Sequence, residues 1–394
     1  MNVLIVSPFF PFPEDSGSKI RLASLIRSLN GHRVTLIAFR DRDERIDEKG
    51  MEGACAAWHV FDRPRLSRFR KWLNPFSPNP LLIHRFFARS AWRQAREIMR
   101  AEPVDVLVIE TLLMVKYARK APVALRILDE HNLEFVRAAS RLAVAKGRLA
   151  RMVDYLIMAR LRRFETRTIR RFDRCLVCSQ EDRDILAKRV NGESLVVVPN
   201  AVDTEQYLPR PAPANGKKIV FLGTLSYEPN RDAVLFFSAE ILPHLRPRVP
   251  GLEFVIIGPG SSRDVAALAR QRDVTVTGYV DDIRPFLADA SVVVAPLRMG
   301  SGTRLKILTA MAMGVPVVST AIGCMGIQAT DGKDICIADA AKDFCDRVQR
   351  LLTDVQFREQ IGRGGRELVV SRYSRDRVLR QLRVFWAQAA KGSG

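Results

Sequence analysis

The stretch that decides the fold reads VVVAPLRMGSGTRLKILTAMAMGVPVVST and spans residues 292–320. Short β-branched runs bounded by turn residues stand at both ends, and a segment of helical periodicity followed by Gly314 lies between them. This order predicts a buried parallel strand, a glycine-containing loop, an amphipathic helix and a second buried strand. The stretch is therefore one βαβ unit, the building block of a doubly wound sheet.

The start of the predicted helix has the features of an anion site. Gly300, Gly302 and Thr303 let backbone N–H groups face outward beside the positive end of the helix dipole. Arg304 and Lys306 add two cations, which the dipole disfavours there unless an anion lies between them. The pattern indicates a phosphate or diphosphate site. By spacing alone, a solvated basic helix start whose glycines serve only the turn is equally compatible.

The residues from Pro296 to Thr320 resemble the donor-site signature of group 1 glycosyltransferases of the GT-B fold, particularly the bacterial exopolysaccharide-type members. The resemblance covers nearly the whole chain and implies a nucleotide-sugar donor, with Gly302, Thr303, Arg304 and Lys306 around its diphosphate. One position departs from the family. Members have a Glu that binds the ribose hydroxyls of the donor, whereas this chain has Thr309, which offers one hydroxyl and no charge.

The resemblance also implies site residues outside the signature. His131 follows an apolar strand in the polar run Asp129-Glu130-His131-Asn132, and it is expected near the donor sugar and the acceptor, although a lone histidine is more often structural. The remaining expected donor contacts are Gly17 at the diphosphate, Gly223, Asn230 and Arg231 in a loop near the phosphates, and Gly278, Tyr279 and Val280 at the base.

The chain of 394 residues, 47% hydrophobic, is long enough for two cores. Strands alternate with helices in both halves, which predicts two α/β domains with doubly wound parallel sheets, Rossmann-like and facing a cleft. We place the acceptor-side domain at residues 1–205 and the nucleotide-sugar domain at 206–374, with a proline-rich linker at 207–217. By resemblance, a last helix at 375–389 returns to the first domain, and 391–394 form a tail.

A net charge of +20 implies an anionic partner, which could be nucleic acid, an anionic membrane surface or a nucleotide-type substrate. No nucleic-acid-binding motif accompanies the charge, so we expect no nucleic acid. The basic and aromatic run from residue 63 to 100 suits a segment lying on anionic lipid, or equally a core helix with a solvated basic face.

No apolar run reaches the ~18 residues that span a bilayer, and the N-terminus lacks a cationic leader. These features predict a cytoplasmic protein, peripheral at the inner face of the membrane if the basic run binds lipid. The six cysteines are scattered in apolar contexts and are expected to be free thiols, including Cys175 and Cys178, whose C-x-x-C spacing falls in a predicted buried strand. No D-x-D metal signature stands where one would be needed, and we expect neither metal nor cofactor.

The sequence therefore predicts a glycosyltransferase that moves a sugar from a nucleotide-diphosphate donor to a hydroxyl of a polysaccharide or lipid-linked glycan, with retention by resemblance. The second domain would hold the donor and the first the acceptor. Two alternatives remain. Because Thr309 replaces the carboxylate, the chain could be a catalytically silent binding or scaffold subunit. A nucleotide-sugar 2-epimerase shares the fold, but the acidic and histidine residues of that chemistry are not evident.

Overall fold

The computed structural model describes residues 1–64, 80–119, 121–144, 147–209, 216–260 and 262–391. The chain divides into two α/β units. The first comprises Met1–Ala139, Lys146–Ala201 and Asp376–Gly394, and the second Ser140–Ala145 and Val202–Arg375. Residues 65–79 of the basic run, 210–215 of the expected linker and 392–394 of the expected tail lie outside the described residues.

The first unit is built on a parallel sheet of seven strands in the order β3-β2-β1-β4-β5-β6-β7. Its central strands are apolar runs buried on both faces, as a parallel sheet with helices on both sides requires. The strands are β1 (Asn2–Ser7), β2 (Arg33–Arg40), β3 (Ala57–Asp62), β4 (Val106–Glu110), β5 (Leu125–Glu130), β6 (Arg174–Val177) and β7 (Leu195–Val197).

Helices cover both faces of this sheet, and short 3-10 turns occur at Lys49–Met51, Leu112–Ala118 and Gly192–Ser194. One face buries α1 and α14, whose Trp386 donates its Nε1–H to Ser28 Oγ over 2.8 Å. The other face buries parts of α3, α4, α5 and α6. The helices are α1 (Gly17–Ser28), α2 (Leu81–His84), α3 (Arg89–Ala101), α4 (Glu134–Val144), α5 (Arg148–Ile169), α6 (Gln180–Ala187) and α14 (Arg375–Lys391).

The sequence indicated an apolar strand that ends before the polar run Asp129-Glu130-His131-Asn132. The strand instead runs on to Glu130, because Asp129 pairs with Leu176 and Glu130 with Val177 on β6. Both carboxyl groups are consequently buried in the sheet. Only His131 and Asn132 lie in the turn. Cys175 and Cys178, at the end of β6, are buried free thiols.

The second unit contains a parallel sheet of six strands in the order β10-β9-β8-β11-β12-β13. One apolar core lies on each face of the sheet. The βαβ unit predicted at residues 292–320 is present as the strand Val292–Ala295, the helix Leu305–Ala312 and the strand Val317–Ser319. The strands are β8 (Lys218–Leu222), β9 (Glu253–Ile257), β10 (Val274–Gly278), β11 (Val292–Ala295), β12 (Val317–Ser319) and β13 (Cys336–Ile337).

The helices of this unit connect successive strands, and the last two pack over the sheet after β13. A π-helical turn, Phe237–Ile241, joins α7 to α8. The helices are α7 (Glu228–Phe236), α8 (Leu242–Leu245), α9 (Arg263–Leu268), α10 (Arg284–Ala288), α11 (Leu305–Ala312), α12 (Ala341–Thr353) and α13 (Val355–Arg372). Across the part of the chain that the structure describes, no helix is both long and apolar enough to cross a membrane.

The strand order of each sheet creates a switch point where successive connections leave in opposite directions. In the first unit this point lies between β1 and β4, and in the second between β8 and β11. Open parallel sheets bind their ligands at the carboxyl ends of the strands beside such a point. Each unit therefore has one location at which a site is expected.

Candidate active site

At the switch point of the second unit, three predicted residues meet. Lys306 Nζ donates to Asn230 Oδ1 over 2.7 Å, and Asn230 Nδ2 donates to the carbonyl of Thr224 over 2.9 Å. Gly223, which follows β8, has φ +153°, and a Cβ there would lie 2.6 Å from both Asn230 Nδ2 and Lys306 Nζ. Only glycine leaves room for this arrangement, so the strand end, the asparagine and the lysine form one compact polar group.

The Lys306 ammonium is poorly compensated where it lies. Its Nζ is 4.3 Å from the centroid of the Phe221 ring, and burial, followed by repulsion from Arg304, holds the pKa of Lys306 well below its ordinary value. A partly buried cation that donates to an amide oxygen instead of a carboxylate is costly, and a bound anion would offset that cost. The site thus favours a negatively charged ligand.

The loop before α11 is shaped by glycines and by Arg304. Gly300 has φ +122° and Gly302 φ +79°, both in the region that side chains rarely adopt. Arg304 is the N-cap of α11, not a residue of its first turn as the sequence suggested, and its Nη1 donates to the carbonyls of Ser301 and, over 2.9 Å, Gly302. The guanidinium therefore folds over its own loop beside the helix start.

The other residues expected at the donor occupy varied positions. Thr309 is buried in α11 three residues after Lys306, so that both side chains project from the same side of the helix. Thr303 donates weakly to the carbonyl of Gly326 over 3.5 Å.

Arg231 is exposed on α7. At the proposed base region, Gly278 ends β10 with φ +72°, Tyr279 is 66% exposed and Val280 is partly buried. Gly17 begins α1 in the first unit.

In the first unit, His131 belongs to a buried charged cluster that the sequence did not reveal. Its Nε2 lies 2.6 Å from Glu110 Oε2 and 3.5 Å from Asp129 Oδ2. Arg21 also binds Asp129, since its Nε donates to both carboxylate oxygens over 3.0 and 2.9 Å. The Nη1 of Arg21 donates to the carbonyl of Val198 over 2.7 Å. Two carboxyl groups and two basic groups are thus buried next to one another.

The shared burial and charge shift each pKa in the cluster. Burial opposes the charging of His131, but Glu110 and Asp129 outweigh it and raise the pKa of His131 to about 9. Burial and the charge of Asp129 raise the pKa of Glu110 to about 7. Burial disfavours the Asp129 carboxylate too, yet Arg21 and His131 hold the pKa of Asp129 below its ordinary value. At neutral pH, His131 is therefore a charged hydrogen-bond donor rather than a proton acceptor.

The nitrogen and oxygen atoms of Glu110, Asp129 and His131 that could bind a metal lie within 4.8 Å of one another. This donor set would suit a divalent cation. However, the Arg21 guanidinium already contacts Asp129 and supplies the positive charge that a metal would bring. We therefore assign the cluster to Arg21 and His131, and metal independence stays a prediction.

Beside this cluster, at the switch point of the first unit, a cavity of about 160 Å³ opens next to His131. It is lined by residues that follow β1, β4 and β5, among them Phe9, Thr111, Glu130, His131 and Asn132. Thr111 has φ +64°, a strained conformation for a β-branched residue, and such strain is concentrated at functional sites. Nothing in the sequence marked Thr111 or Phe9. The cavity is the candidate place for a small polar group.

The pKa of His131 predicts how the first unit responds to alkali. A histidine whose pKa rises on folding from 6.5 to about 9 stabilises the folded protein fully below pH 6.5. This contribution is lost as the pH rises to about 9. We expect unfolding of the first unit to become easier between pH 7 and 9, by on the order of 2 kcal/mol. Tryptophan fluorescence in urea measures this unit alone, because Trp58, Trp72, Trp92 and Trp386 all fall within its ranges.

The matched control is His131→Gln, which should unfold with a much flatter pH dependence over the same range. A wild-type midpoint that stays constant from pH 7 to 9 would show that His131 is not held in its charged form by Glu110 and Asp129.

Comparisons with known proteins bear on the family and the fold of the chain. A family model described as "Glycosyltransferase Family 4" matches residues 20–206, and one described as "Glycosyl transferases group 1" matches residues 216–354. An uncharacterised 44.6 kDa protein in the cps region of Klebsiella pneumoniae is 20% identical over 97% of this chain and 98% of its own length. A phosphatidyl-myo-inositol mannosyltransferase of Mycobacterium leprae is 27% identical over 51% of this chain and 56% of its own.

Solved structures show the same architecture. Sucrose-phosphate synthase from Thermosynechococcus elongatus superposes with a TM-score of 0.72 at 16% identity, covering 98% of each chain. HepE of Anabaena, in complex with UDP-glucose, superposes with a TM-score of 0.68 at 15% identity, covering 98% of this chain and 100% of that one. Fold and family models together identify the class: the chain belongs to the group 1 glycosyltransferases with the GT-B fold.

Proposed function

We propose that this glycosyltransferase moves a sugar from a nucleotide-diphosphate donor to a hydroxyl of a polysaccharide or lipid-linked glycan, with retention of anomeric configuration. The observation that carries the proposal is the polar group of Gly223, Asn230 and Lys306, with its undercompensated ammonium at the switch point of the second unit. An oligoanion such as a diphosphate is the ligand that this charge favours.

In this proposal, Lys306 and the start of α11 stabilise the negative charge that develops on the departing diphosphate. The cation and the helix N-terminus are fixed before the reaction, so their stabilisation requires no reorganisation as the bond breaks. Arg304 adds positive charge over the same loop. These groups supply the electrostatic stabilisation that a metal provides in other transferases, and we infer that the reaction needs none.

The acceptor belongs in the cavity of the first unit. There the positive charge of His131 favours a sugar or acceptor oxygen beside its imidazole, and Glu110 and Asp129 keep that imidazole charged and oriented. Asn132 and Thr111 add polar lining. The cps-region relative is consistent with a polysaccharide acceptor. We infer a cytoplasmic protein that meets a lipid-linked acceptor at the inner face of the membrane.

Calorimetric titration with UDP, ADP, GDP, CDP and dTDP, in buffer containing EDTA, tests the donor half of the proposal. Selective binding of one nucleotide would define the donor class, and a subsequent reaction with the matching nucleotide sugar would give the anomer of the product by NMR. Failure of every nucleotide to bind, with or without added divalent metal, would overturn the proposal.

Thr309 decides between an active enzyme and a silent binding or scaffold subunit. Thr309→Glu restores the carboxylate that family members use for the ribose, and a charge-assisted hydrogen bond is worth about 1.5–3 kcal/mol. We expect nucleotide affinity to rise about tenfold or more, with deoxyribose nucleotides gaining less than ribose nucleotides. Thr309→Gln is the control, since it has similar length without the charge.

A wild-type protein that binds nucleotide and transfers sugar, at whatever rate, excludes the silent subunit. If only the Thr309→Glu variant binds nucleotide and turns over, the natural chain is the silent member. Equal affinities for all three proteins would mean that the ribose is held by residues other than Thr309.

A further inference from the structure

Helix α5 of the first unit has an apolar surface that is exposed in the part of the chain that the structure describes. Leu149, Met152, Val153, Leu156 and Ile157 are between 44% and 71% exposed. Their spacing of three and four residues places them along one side of the helix. We name these five residues the α5 stripe. Soluble proteins rarely leave so many large aliphatic side chains together in water, so such a surface usually marks an interaction site.

The α5 stripe lies on a different side of the helix from the residues that pack into the core. The buried residues of α5 include Leu161, Glu165 and Thr168 in its C-terminal half. At 100° per residue, Leu161, Glu165 and Thr168 are centred about 120° around the helix axis from the centre of the stripe. The C-terminal half thus fixes α5 to the core, while the N-terminal half presents an apolar side to the exterior.

Helix α5 is rich in arginine, and at 100° per residue Arg148 and Arg163 border the stripe while Arg151 and Arg162 lie on the opposite side of the helix. Residues 148–163 contain five arginines and one aspartate, and Arg148, Arg151, Arg162 and Arg163 are exposed. Long basic side chains next to an apolar stripe are typical of helices that lie in the plane of a membrane interface, where the chains reach lipid phosphates. The aspartate, Asp154, lies on a different side of the helix from the stripe.

A second cationic feature lies in the same helical layer. A groove of about 520 Å³ on α3 is lined by Trp92, Glu97 and four arginines, Arg93, Arg96, Arg100 and Arg119. The Arg96 guanidinium stacks 5.1 Å from the Trp92 ring. Ala91 of α3 and Leu161 of α5 pack into the same core, so the helices that carry the α3 groove and the α5 stripe cover the same face of the sheet.

We propose that this face of the first unit, with the α5 stripe inserted and the α3 groove over lipid phosphates, docks on an anionic bilayer surface. Charge complementarity selects the occupant. A second copy of the chain would bring two strongly cationic surfaces together, which is unfavourable for a symmetric contact. This inference rests on the proposed function in one respect, because a lipid-linked acceptor would lie in the same bilayer surface.

Co-sedimentation with vesicles tests the proposal on the full chain. We expect binding to phosphatidylcholine vesicles that contain phosphatidylglycerol, and little binding to phosphatidylcholine alone. The double variant Leu149→Ser, Leu156→Ser should lower the partition coefficient at least tenfold. The double variant Arg93→Glu, Arg100→Glu should remove the preference for anionic lipid. Both pairs are exposed side chains, so the fold should be retained, and circular dichroism checks this.

Two matched controls change exposed residues elsewhere. Val384→Ser alters an aliphatic residue of α14 that is 58% exposed, and Arg270→Glu alters an exposed arginine of the second unit. Both should bind vesicles like the natural chain. Equal binding by all variants overturns the proposal. So does a stripe-dependent dimer without vesicle binding, measured by sedimentation, which would assign the stripe to a second copy.

The same variants separate this inference from the proposed function. None of the changed residues belongs to the nucleotide site, so their nucleotide affinities should equal that of the natural chain. Nucleotide binding without vesicle binding would refute the docking surface alone. Vesicle binding without nucleotide binding would refute the proposed function alone.

Discussion

Replacing Lys306 by Met is expected to weaken nucleoside diphosphate binding by about 10- to 100-fold while leaving the free protein at least as stable as before. The loss follows from removing one charge-assisted contact to phosphate, worth about 1.5–3 kcal/mol. The unchanged stability follows from the low pKa of Lys306, which shows that its charged form is disfavoured in the folded protein. Methionine keeps the length of the side chain and removes that cost.

Calorimetry and thermal unfolding measure the two effects on the same sample. Lys333→Met is the control, since Lys333 is exposed in the same unit. Because a bound anion would raise the pKa of Lys306, any proton uptake that accompanies binding to the natural chain should be smaller in Lys306→Met, which titrations in buffers of different ionisation enthalpy detect. Undiminished affinity in Lys306→Met would place the diphosphate elsewhere.

Replacing Asp129 by Ala should produce the largest loss of stability. Arg21 would then be a buried guanidinium without its carboxylate, and breaking a buried pair in this way costs about 3–5 kcal/mol. The corresponding control is Glu102→Ala, which removes the partner of Arg33 in an exposed pair at 3.1 Å and should cost less than about 1 kcal/mol. Tryptophan fluorescence in urea reports both changes in the first unit.

The pair itself can be tested by replacing both charges. Arg21→Met combined with Asp129→Leu removes the desolvation cost together with the attraction, and it should recover much of the stability lost in Asp129→Ala. An Asp129→Ala variant no less stable than Glu102→Ala would mean that water or another group compensates Arg21.

The sequence was sufficient for the architecture because parallel strands leave a strong local signal. The runs that became β8, β9 and β11 are short apolar segments, followed by glycine after β8 and β9 and by proline after β11, and the helix between β11 and β12 is followed by Gly314. The proposed anion site is also local in part, since Gly302, Arg304 and Lys306 stand within five residues. Its chemistry could therefore be inferred before any contact was known.

The remaining contacts join residues far apart in the chain, and no local pattern records them. Arg21 and Asp129 are separated by 108 residues, and Asn230 and Lys306 by 76. The continuation of β5 to Glu130 depends on pairing with β6, which overrides the low strand preference of Asp and Glu. The α5 stripe was not predicted either, although its residues are close together in the sequence. Helical periodicity shows that an apolar face exists, but not whether the fold covers it.

The burial of Trp386 against Ser28 has a consequence for biosynthesis. The ribosome translates the whole second unit, residues 202–375, before it reaches the helix that completes the first. At usual elongation rates the nascent first unit waits on the order of ten to forty seconds with its α1 surface uncovered. During that interval the second unit can fold while the first is still incomplete. Chaperone dependence should therefore fall most steeply when residue 386 has left the ribosome, and not when the first 201 residues emerge.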